Sequence, residues 1–578
     1  MQGLEQSIAN TEAHLRELRK GKGPWEGHLS SSALSTATAV MALGAVDPMA
    51  HEAFIRAGVA WLIDHRNQDG GWGDTAISKS NLSTTLLCWS ALKKYGSSND
   101  ENLTRCDAWI RERVGSLEPD ALVRAVVARY GKDKTFSVPI LMHCAIGGTL
   151  GEKAWARVLP LPFELAAFPR SWFGAIGLPV VSYALPALIA IGHARFVQAP
   201  PAIWNPLRWL RARLWPKIRP MLKSLQPSSG GYLEATPLTS FVTMALASSG
   251  DADHPCVPGA VDFLRRSMRA DGSWPIDTNL STWGTTLAIK ALPLSLDPPL
   301  RAWLVGQQYR EVHPFTHAAP GGWAWTDLPG GVPDADDTAG ALIALWHSDE
   351  KSDLIRAGEA GITWLLDLQN RDGGIPTFCR GWGTLPFDRS TPELTAHALL
   401  AWHLWEPVVR PKLRDQIRSA TVIAIRYLQS QQRQNGSWVP LWFGNEHAKD
   451  EENPVYGTAM VTAYLSGSRS LAEKAEALIA SGVAYLLKTQ KNDGSWGGDE
   501  TAPSSIEETA VALTALCRTG ASSAAREKAA SWLISATREG TQFPPSPIGL
   551  YFARLWYHEQ LYPVVWTLQA LRSMSRGQ

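Results

Sequence analysis

The chain carries almost no excess charge of either sign. Its 578 residues hold 55 Lys and Arg against 54 Asp and Glu, a formal net charge of +1, so no global field argues for nucleic acid as a partner. Cysteine is sparse: Cys88, Cys106, Cys144, Cys256, Cys379 and Cys517 are scattered, and no two form a Cys-x-x-Cys pair. That argues against a zinc ribbon and, at this length, against a disulfide framework. Long apolar runs are missing too. The richest stretch, 176–191, is interrupted by Pro179 and Pro186 and falls short of the about 20 residues a helix needs to cross a bilayer. The first 20 residues are polar and helix-like and lack the apolar core of a signal peptide. No β-rich region stands out. A cytoplasmic-side protein that does not cross the membrane is expected.

Tryptophan is what the chain has in excess: 26 Trp against 12 Tyr and 14 Phe. Many lie in a repeated turn, a polar residue followed by Asp/Asn-Gly-Gly/Ser-Trp. Copies end at Trp72, Trp274, Trp438 and Trp496, and degenerate ones occupy 226–232 and 369–375. Asn-Gly and Asp-Gly mark tight turns. An amphipathic segment precedes each turn. Beyond it stands a threonine followed six and seven positions later by Ala and a large apolar residue, at Thr36, Thr85, Thr239, Thr285, Thr338, Thr395 and Thr509. These later segments are apolar on nearly all sides, as buried helices are. The unit is an outer helix, a Gly-Trp turn and an inner helix.

Repeated around a circle, such units make an all-α protein of two α/α barrels. The length suits two or three domains. One barrel is expected over 21–270, with an insertion at about 132–225 that breaks the pattern. The other is expected over 1–20 and 275–578. Within the insertion, 204–223 mixes Trp204, Trp209, Leu210, Leu214, Trp215, Ile218 and Leu222 with six basic residues. That pattern fits an interfacial membrane anchor, or a surface helix docked through its aromatics.

Chemistry concentrates at Asp334, Asp336 and Asp337. Four residues before the threonine anchors stand Asn81, Ser281, Asp334, Thr391 and Ser505, all suited to capping a helix N-terminus. Two before them stand Ser83, Trp283, Asp336, Glu393 and Glu507, and Asp337 adds a third carboxylate in one repeat alone. Three carboxylates at a buried helix mouth cannot all ionise cheaply. A neutral carboxylic acid in a dry cavity is a proton donor; a metal site or a solvated acidic loop are the alternatives. Aromatics at or near the turns, among them Trp283, Trp323, Trp325, Phe378, Trp442 and Phe543, could stabilise cations. For Trp72, Trp438 and Trp496, core packing is the simpler role.

Taken together, Val332 to Ala339 with its Asp-x-Asp-Asp and the Gly-Trp repeats resemble the squalene–hopene cyclase family and its "QW" repeats, over nearly the whole chain. The resemblance implies two α/α barrels in a dumbbell, monotopic attachment to the membrane, and a cation cascade with neither cofactor nor metal. It makes Asp336 the proton donor, Asp334 and Asp337 its flanking carboxylates, and His397 the protonated partner that sharpens the acid. Trp325, Trp283, Phe378, Trp442 and Phe543 fall where family aromatics line the cavity, and Tyr183 where another tryptophan is usual. Trp325 stands in place of the family's Phe, and Phe378 in place of its Tyr. Residues 30–39 lack the glutamate that holds the terminating water, and Pro544, Pro545 and Pro547 disturb the spacing near Tyr551, Phe552 and Trp556.

The expected reaction is cyclisation of squalene to a hopene-like polycyclic triterpene. Other linear isoprenoids remain open: a longer polyprenyl, a meroterpenoid, or a diphosphate-bearing chain. The last would need a Lys/Arg cluster near the inner helices, and none is evident from the sequence. An α/α-barrel prenyltransferase would need zinc, for which Cys379 and His397 lack ligand spacing, and a lipid-binding scaffold would form no product. The expected partners are the isoprenoid and a membrane surface, with a homodimer left open; no nucleic acid is expected.

Overall fold

In the computed structural model, which describes residues 3–19, 21–96, 101–131, 133–169, 172–173, 181–292, 296–314, 316–550 and 554–576, each Gly-Trp turn folds in the same way. The backbone N–H of the turn residue donates to the hydroxyl of an anchor threonine at 2.9–3.0 Å: Trp72 to Thr85, Tyr232 to Thr239, Trp274 to Thr36, Trp323 to Thr338, Ile375 to Thr395 and Trp496 to Thr509. Trp25 does the same to Thr285. Each of these indoles is buried and donates to a carbonyl of the preceding outer helix, as Trp72 does to Leu62 and Trp496 to Leu486. A turn glutamine clips the next outer helix: Gln369 donates to the carbonyls of Gly373 (2.8 Å) and Ala420 (3.1 Å). The turn glycine is required. Gly321 has φ +118°, and a Cβ there would lie 2.7 Å from the Ala360 carbonyl oxygen.

An eighth anchor, Thr458, takes the N–H of Trp438 at 2.9 Å. It escaped the sequence pattern because Tyr464, not Ala, stands six positions on.

The chain divides into two compact units. Unit 1 comprises 1–28, 279–327 and 331–578; unit 2 comprises 29–278 and 328–330. The first division thus falls after His28 rather than at residue 20, which gives the turn at Trp25 to unit 1.

In unit 1, six inner helices pack side by side in a closed ring: Ser281–Ala291, Ala335–Trp346, Pro392–Trp405, Pro454–Leu465, Ile506–Thr519 and Leu561–Arg576. The last packs back on the first. Outer helices cover the ring, among them Ile355–Leu368, Pro411–Gln431 and Glu476–Thr489. They bury one stripe, whereas the inner helix Pro392–Trp405 is buried along nearly its whole length. This is an α/α barrel; the only sheet among the described residues is two short two-stranded ladders, Ile548–Leu550 with Leu555–Tyr557 in unit 1 and Ser31–Ser32 with Trp274–Pro275 in unit 2.

In unit 2, Ala33–Val46, Leu82–Tyr95, Lys134–Ile146, Val181–Gln198 and Thr236–Ser248 close a second ring. The expected insertion at 132–225 is therefore narrower. Lys134–Ile146 and Val181–Gln198 belong to the ring, although Pro139 and Pro186 lie inside them and hide the helical pattern. Outside the ring, Pro206–Ile218 docks through buried Ile218, through Arg211 paired to Glu164 (2.9 Å), and through Trp215 stacked on His193. Its other side presents Leu207, Trp209 and Leu210 outward, next to Ile203 and Trp204, which is 85% exposed. The docked side agrees with the reading as a surface helix held through its aromatics. No described helix is long and apolar enough to cross a membrane. Residues 174–180, Tyr551 and Phe552 lie outside the described residues.

Candidate active site

The acid cluster opens an inner helix of unit 1. Asp334 is the N-cap of Ala335–Trp346, and its carboxylate accepts the Asp337 N–H at 2.9 Å. Asn81 and Ser505 cap their helices in the same manner. Ser281 and Thr391 depart from that expectation. Ser281 lies inside its helix and donates to Asp327 at 2.7 Å, and the Thr391 hydroxyl donates to Glu393. Two backbone bonds hold the mouth of the acid helix. The Asp334 N–H donates to the Trp323 carbonyl and the Ala335 N–H to the Thr377 carbonyl, both at 2.9 Å. The second places Phe378, the next residue, beside the acids.

The three aspartates have separate environments. Burial pushes Asp334 up to about 7, opposed by its bonds to Asp337. Burial first, then the neighbouring Asp334, pushes Asp337 well above the ordinary carboxylate range, and one of its oxygens has no hydrogen-bond partner. Asp336 is the most accessible of the three, with 20% of its side-chain surface exposed, and its Oδ1 lies 2.5 Å from Nδ1 of fully buried His397. The equivalent Glu393 and Glu507 accept instead from the backbone N–H groups of Leu441 and Ser546, both at 2.8 Å. Burial pushes them up to about 7 and about 8. A carboxyl that is both paired and reachable occurs in this repeat alone of the three.

His397 stacks on Tyr464, with centroids 4.3 Å apart and planes at 10°. Burial lowers its pKa to about 4, Lys290 adds to the shift, and Asp336 opposes it. Desolvation thus works against the protonated histidine that the resemblance implies, and the Asp336 carboxyl works for it. The contact uses Oδ1 of Asp336 and leaves its other carboxyl oxygen outside the pair.

Trp325, Phe378 and Trp442 form a chain of edge-to-face rings, with centroids 6.4 and 6.0 Å apart, and each keeps part of its surface accessible. The Trp442 indole N–H donates to Thr377 Oγ1 at 2.8 Å, which ties it to the loop that holds the acid helix. Trp283 is buried. It meets His397 edge-on at 6.4 Å, lies under the Lys290 ammonium, and donates to the Tyr562 hydroxyl at 3.1 Å. Tyr562 leads into an aromatic group that the turn pattern did not pick out, with Phe443, Tyr456, Tyr557 and Trp566. Its members come from loops and helices distant in sequence, so no local spacing marked them.

Two candidates sit elsewhere. Phe543 stacks on His14 at 5.2 Å. It follows directly on the turn that closes the outer helix Ser523–Ala536, and so meets the outer layer rather than a helix mouth. Tyr183 is buried on Val181–Gln198 of unit 2. Cys379 faces the Phe387 carbonyl while His397 faces Asp336, so the two do not converge.

The reading that no Lys/Arg cluster lies near the inner helices is overturned. Lys290, Arg518, Arg572 and Arg576 come together around a cavity of about 630 Å³ in unit 1. They belong to three different inner helices, so their meeting is invisible along the chain.

The squalene–hopene cyclase C-terminal domain model matches residues 302–571, and the N-terminal domain model matches residues 8–143. The enfumafungin synthase of Hormonema carpetanum is 24% identical over 86% of this chain and 42% of its own length. The squalene hopane cyclase of Aspergillus fumigatus is 24% identical over 76% and 70%, and the copalyl diphosphate synthase of Streptomyces cyslabdanicus 26% identical over 79% and 76%. The chain thus spans under half the length of the first of these relatives. Among solved structures, the ent-copalyl diphosphate synthase from Streptomyces platensis aligns over 100% of both chains with a TM-score of 0.55 and 19% identity.

Proposed function

The chain belongs to the squalene–hopene cyclase family of class II terpene cyclases, and from that premise we propose that it cyclises a linear isoprenoid by protonating an alkene. One observation carries this reading: Asp336 is the reachable carboxyl of the cluster, backed by a buried histidine and neighboured by half-buried aromatic rings.

Asp336 delivers the proton from its free carboxyl oxygen to the terminal carbon of the alkene, whose π pair forms the new C–H bond. Positive charge develops on the adjacent, more substituted carbon. The next alkene supplies the pair that closes a ring, and the charge moves on. The His397 N–H stabilises the carboxylate left afterwards, an interaction realised mainly once charge has formed. Trp325, Phe378 and Trp442 offer π faces to the passing cation. Loss of a proton, or capture of water, ends the cascade.

Squalene is the substrate we favour, with a hopene-like polycycle as product. A diphosphate-bearing isoprenoid is the second reading, favoured by the similarity to a copalyl diphosphate synthase over most of this chain. The outward row of Ile203, Trp204, Leu207, Trp209 and Leu210 supports peripheral attachment to a membrane, from which such a substrate would enter; the cytoplasmic side is part of the same proposal.

The test is to incubate the protein with squalene, geranylgeranyl diphosphate and a prenylated aromatic, and to identify products by mass spectrometry. A cyclic isomer of squalene, or its hydrate, supports the first reading. A cyclised diphosphate supports the second. No cyclic product from any of the three contradicts the proposal.

A further inference from the structure

We propose that the cavity at the C-terminal ends of the unit 1 inner helices is a binding site for a phosphate-class oxyanion, either free diphosphate or the head of a prenyl diphosphate. The wall is built for negative charge. Lys290, Arg518, Arg572, Arg576 and His347 face it, against a single carboxylate, Asp349. Lys290 ends the helix Ser281–Ala291, His347 caps Ala335–Trp346, Arg518 ends Ile506–Thr519, and Arg572 and Arg576 end Leu561–Arg576. The acid cluster opens the N-terminal end of the same ring, and Tyr464, which lines the cavity, stacks on His397.

Most of this positive charge lacks a counter-ion. Arg572 pairs with Glu12 at 3.2 Å. Arg518 donates to the Ala463 carbonyl at 2.9 Å, and Lys290 lies over the Trp283 ring at 5.5 Å. Among the described residues, no carboxylate lies within ion-pair distance of Lys290, Arg518 or Arg576. Burial lowers Lys290 to about 8 and also lowers Arg518, the cost of holding unpaired cations away from water. An oxyanion would offset that cost, and a guanidinium fork matches phosphate oxygens in pairs. The C-terminal ends of the helices do not themselves attract anions, so the side chains must supply the attraction. The remaining wall includes Leu292, Ile343, Met460 and Val511, and a volume of about 630 Å³ leaves room beyond a bare diphosphate. That leaves both sources of the phosphate group open.

The proposal stands apart from the identity of the cyclised isoprenoid, because binding is measured without turnover. Isothermal titration of the full chain with sodium diphosphate, at constant ionic strength and with chloride as control, is expected to show saturable 1:1 binding. Arg518→Gln and Arg576→Ala should each weaken it about tenfold, the effect of one lost charge-assisted contact. Asp349→Asn should strengthen it. Arg576 is exposed, so its variant keeps the fold if Arg518→Gln does not. Geranylgeranyl diphosphate is the second arm. If it competes with diphosphate and is weakened by the same substitutions, the prenyl head is the source; if only inorganic diphosphate responds, the free anion is. Absence of saturable binding in both arms, or affinities unchanged in both arginine variants, overturns the proposal.

Discussion

Replacing His397 with phenylalanine separates its packing from its chemistry. The phenyl ring can keep the stack on Tyr464, now 4.3 Å at 10°, and it removes an Nε2 that is buried without a partner. What it loses is the 2.5 Å hydrogen bond to Asp336. Bonds to charged groups contribute about 1.5–3 kcal/mol, which corresponds to about a 10- to 150-fold change in rate. The carboxylate is charged after proton transfer, so the loss should fall on kcat rather than on substrate binding. The assay is single-turnover cyclisation with the accepted isoprenoid, with thermal unfolding measured in parallel. A melting point near wild type, with kcat down by at least about tenfold, is expected. If His397→Phe cyclises within about twofold of wild type, His397 only fills space and the acid pair has no mechanistic meaning.

Three further outcomes follow from the same geometry. Thr458→Val orphans the buried Trp438 N–H, costing about 1–3 kcal/mol, and should lower the melting point by several degrees; Thr458→Ser should restore most of it. Glu507 is held protonated up to about 8 by burial, with Glu508 contributing, against 4.5 for the ordinary group. Its folded value lies above its unfolded one, so its contribution is intact below about 4.5 and is lost as pH rises through about 8. Glu507→Gln should therefore gain in melting point relative to wild type on going from about pH 5 to about pH 8, and a constant difference would contradict the assignment. Trp204→Ala and Trp209→Ala should each weaken sedimentation with phospholipid vesicles several-fold, since each removes exposed apolar surface; unchanged sedimentation would remove the membrane proposal.

The repeat architecture was legible because it rests on local chemistry. All seven threonines identified in the sequence bond to a turn N–H; five lie within 20 residues of it, while Thr36 and Thr285 take the N–H groups of Trp274 and Trp25, 238 and 260 residues away. Thr458 was lost because Tyr464 occupies its alanine position, and that same tyrosine is the ring beneath His397. Where one residue serves the site rather than the repeat, the pattern breaks. Two helices of the unit 2 ring were hidden by Pro139 and Pro186, which tertiary packing tolerates inside buried helices. Asp334 as a cap could be read from position alone. The Asp336–His397 pair could not, since 61 residues separate its members and only the resemblance joined them. The burial that weighs against a protonated His397 could not be read along the chain either, because desolvation acts through the whole surrounding fold. The basic cavity was missed for the same kind of reason, since its cations meet only when three helix ends do.

The central claim is that Asp336 is the proton donor, and Asp336→Asn tests it most directly. Asparagine keeps the shape and can still bond to His397, but it has no carboxyl proton to give. With the helical content and melting point of wild type, the variant should form no cyclic product from any isoprenoid that the wild type converts. Cyclisation by that variant at a rate comparable to wild type would contradict the assignment and move the acid elsewhere.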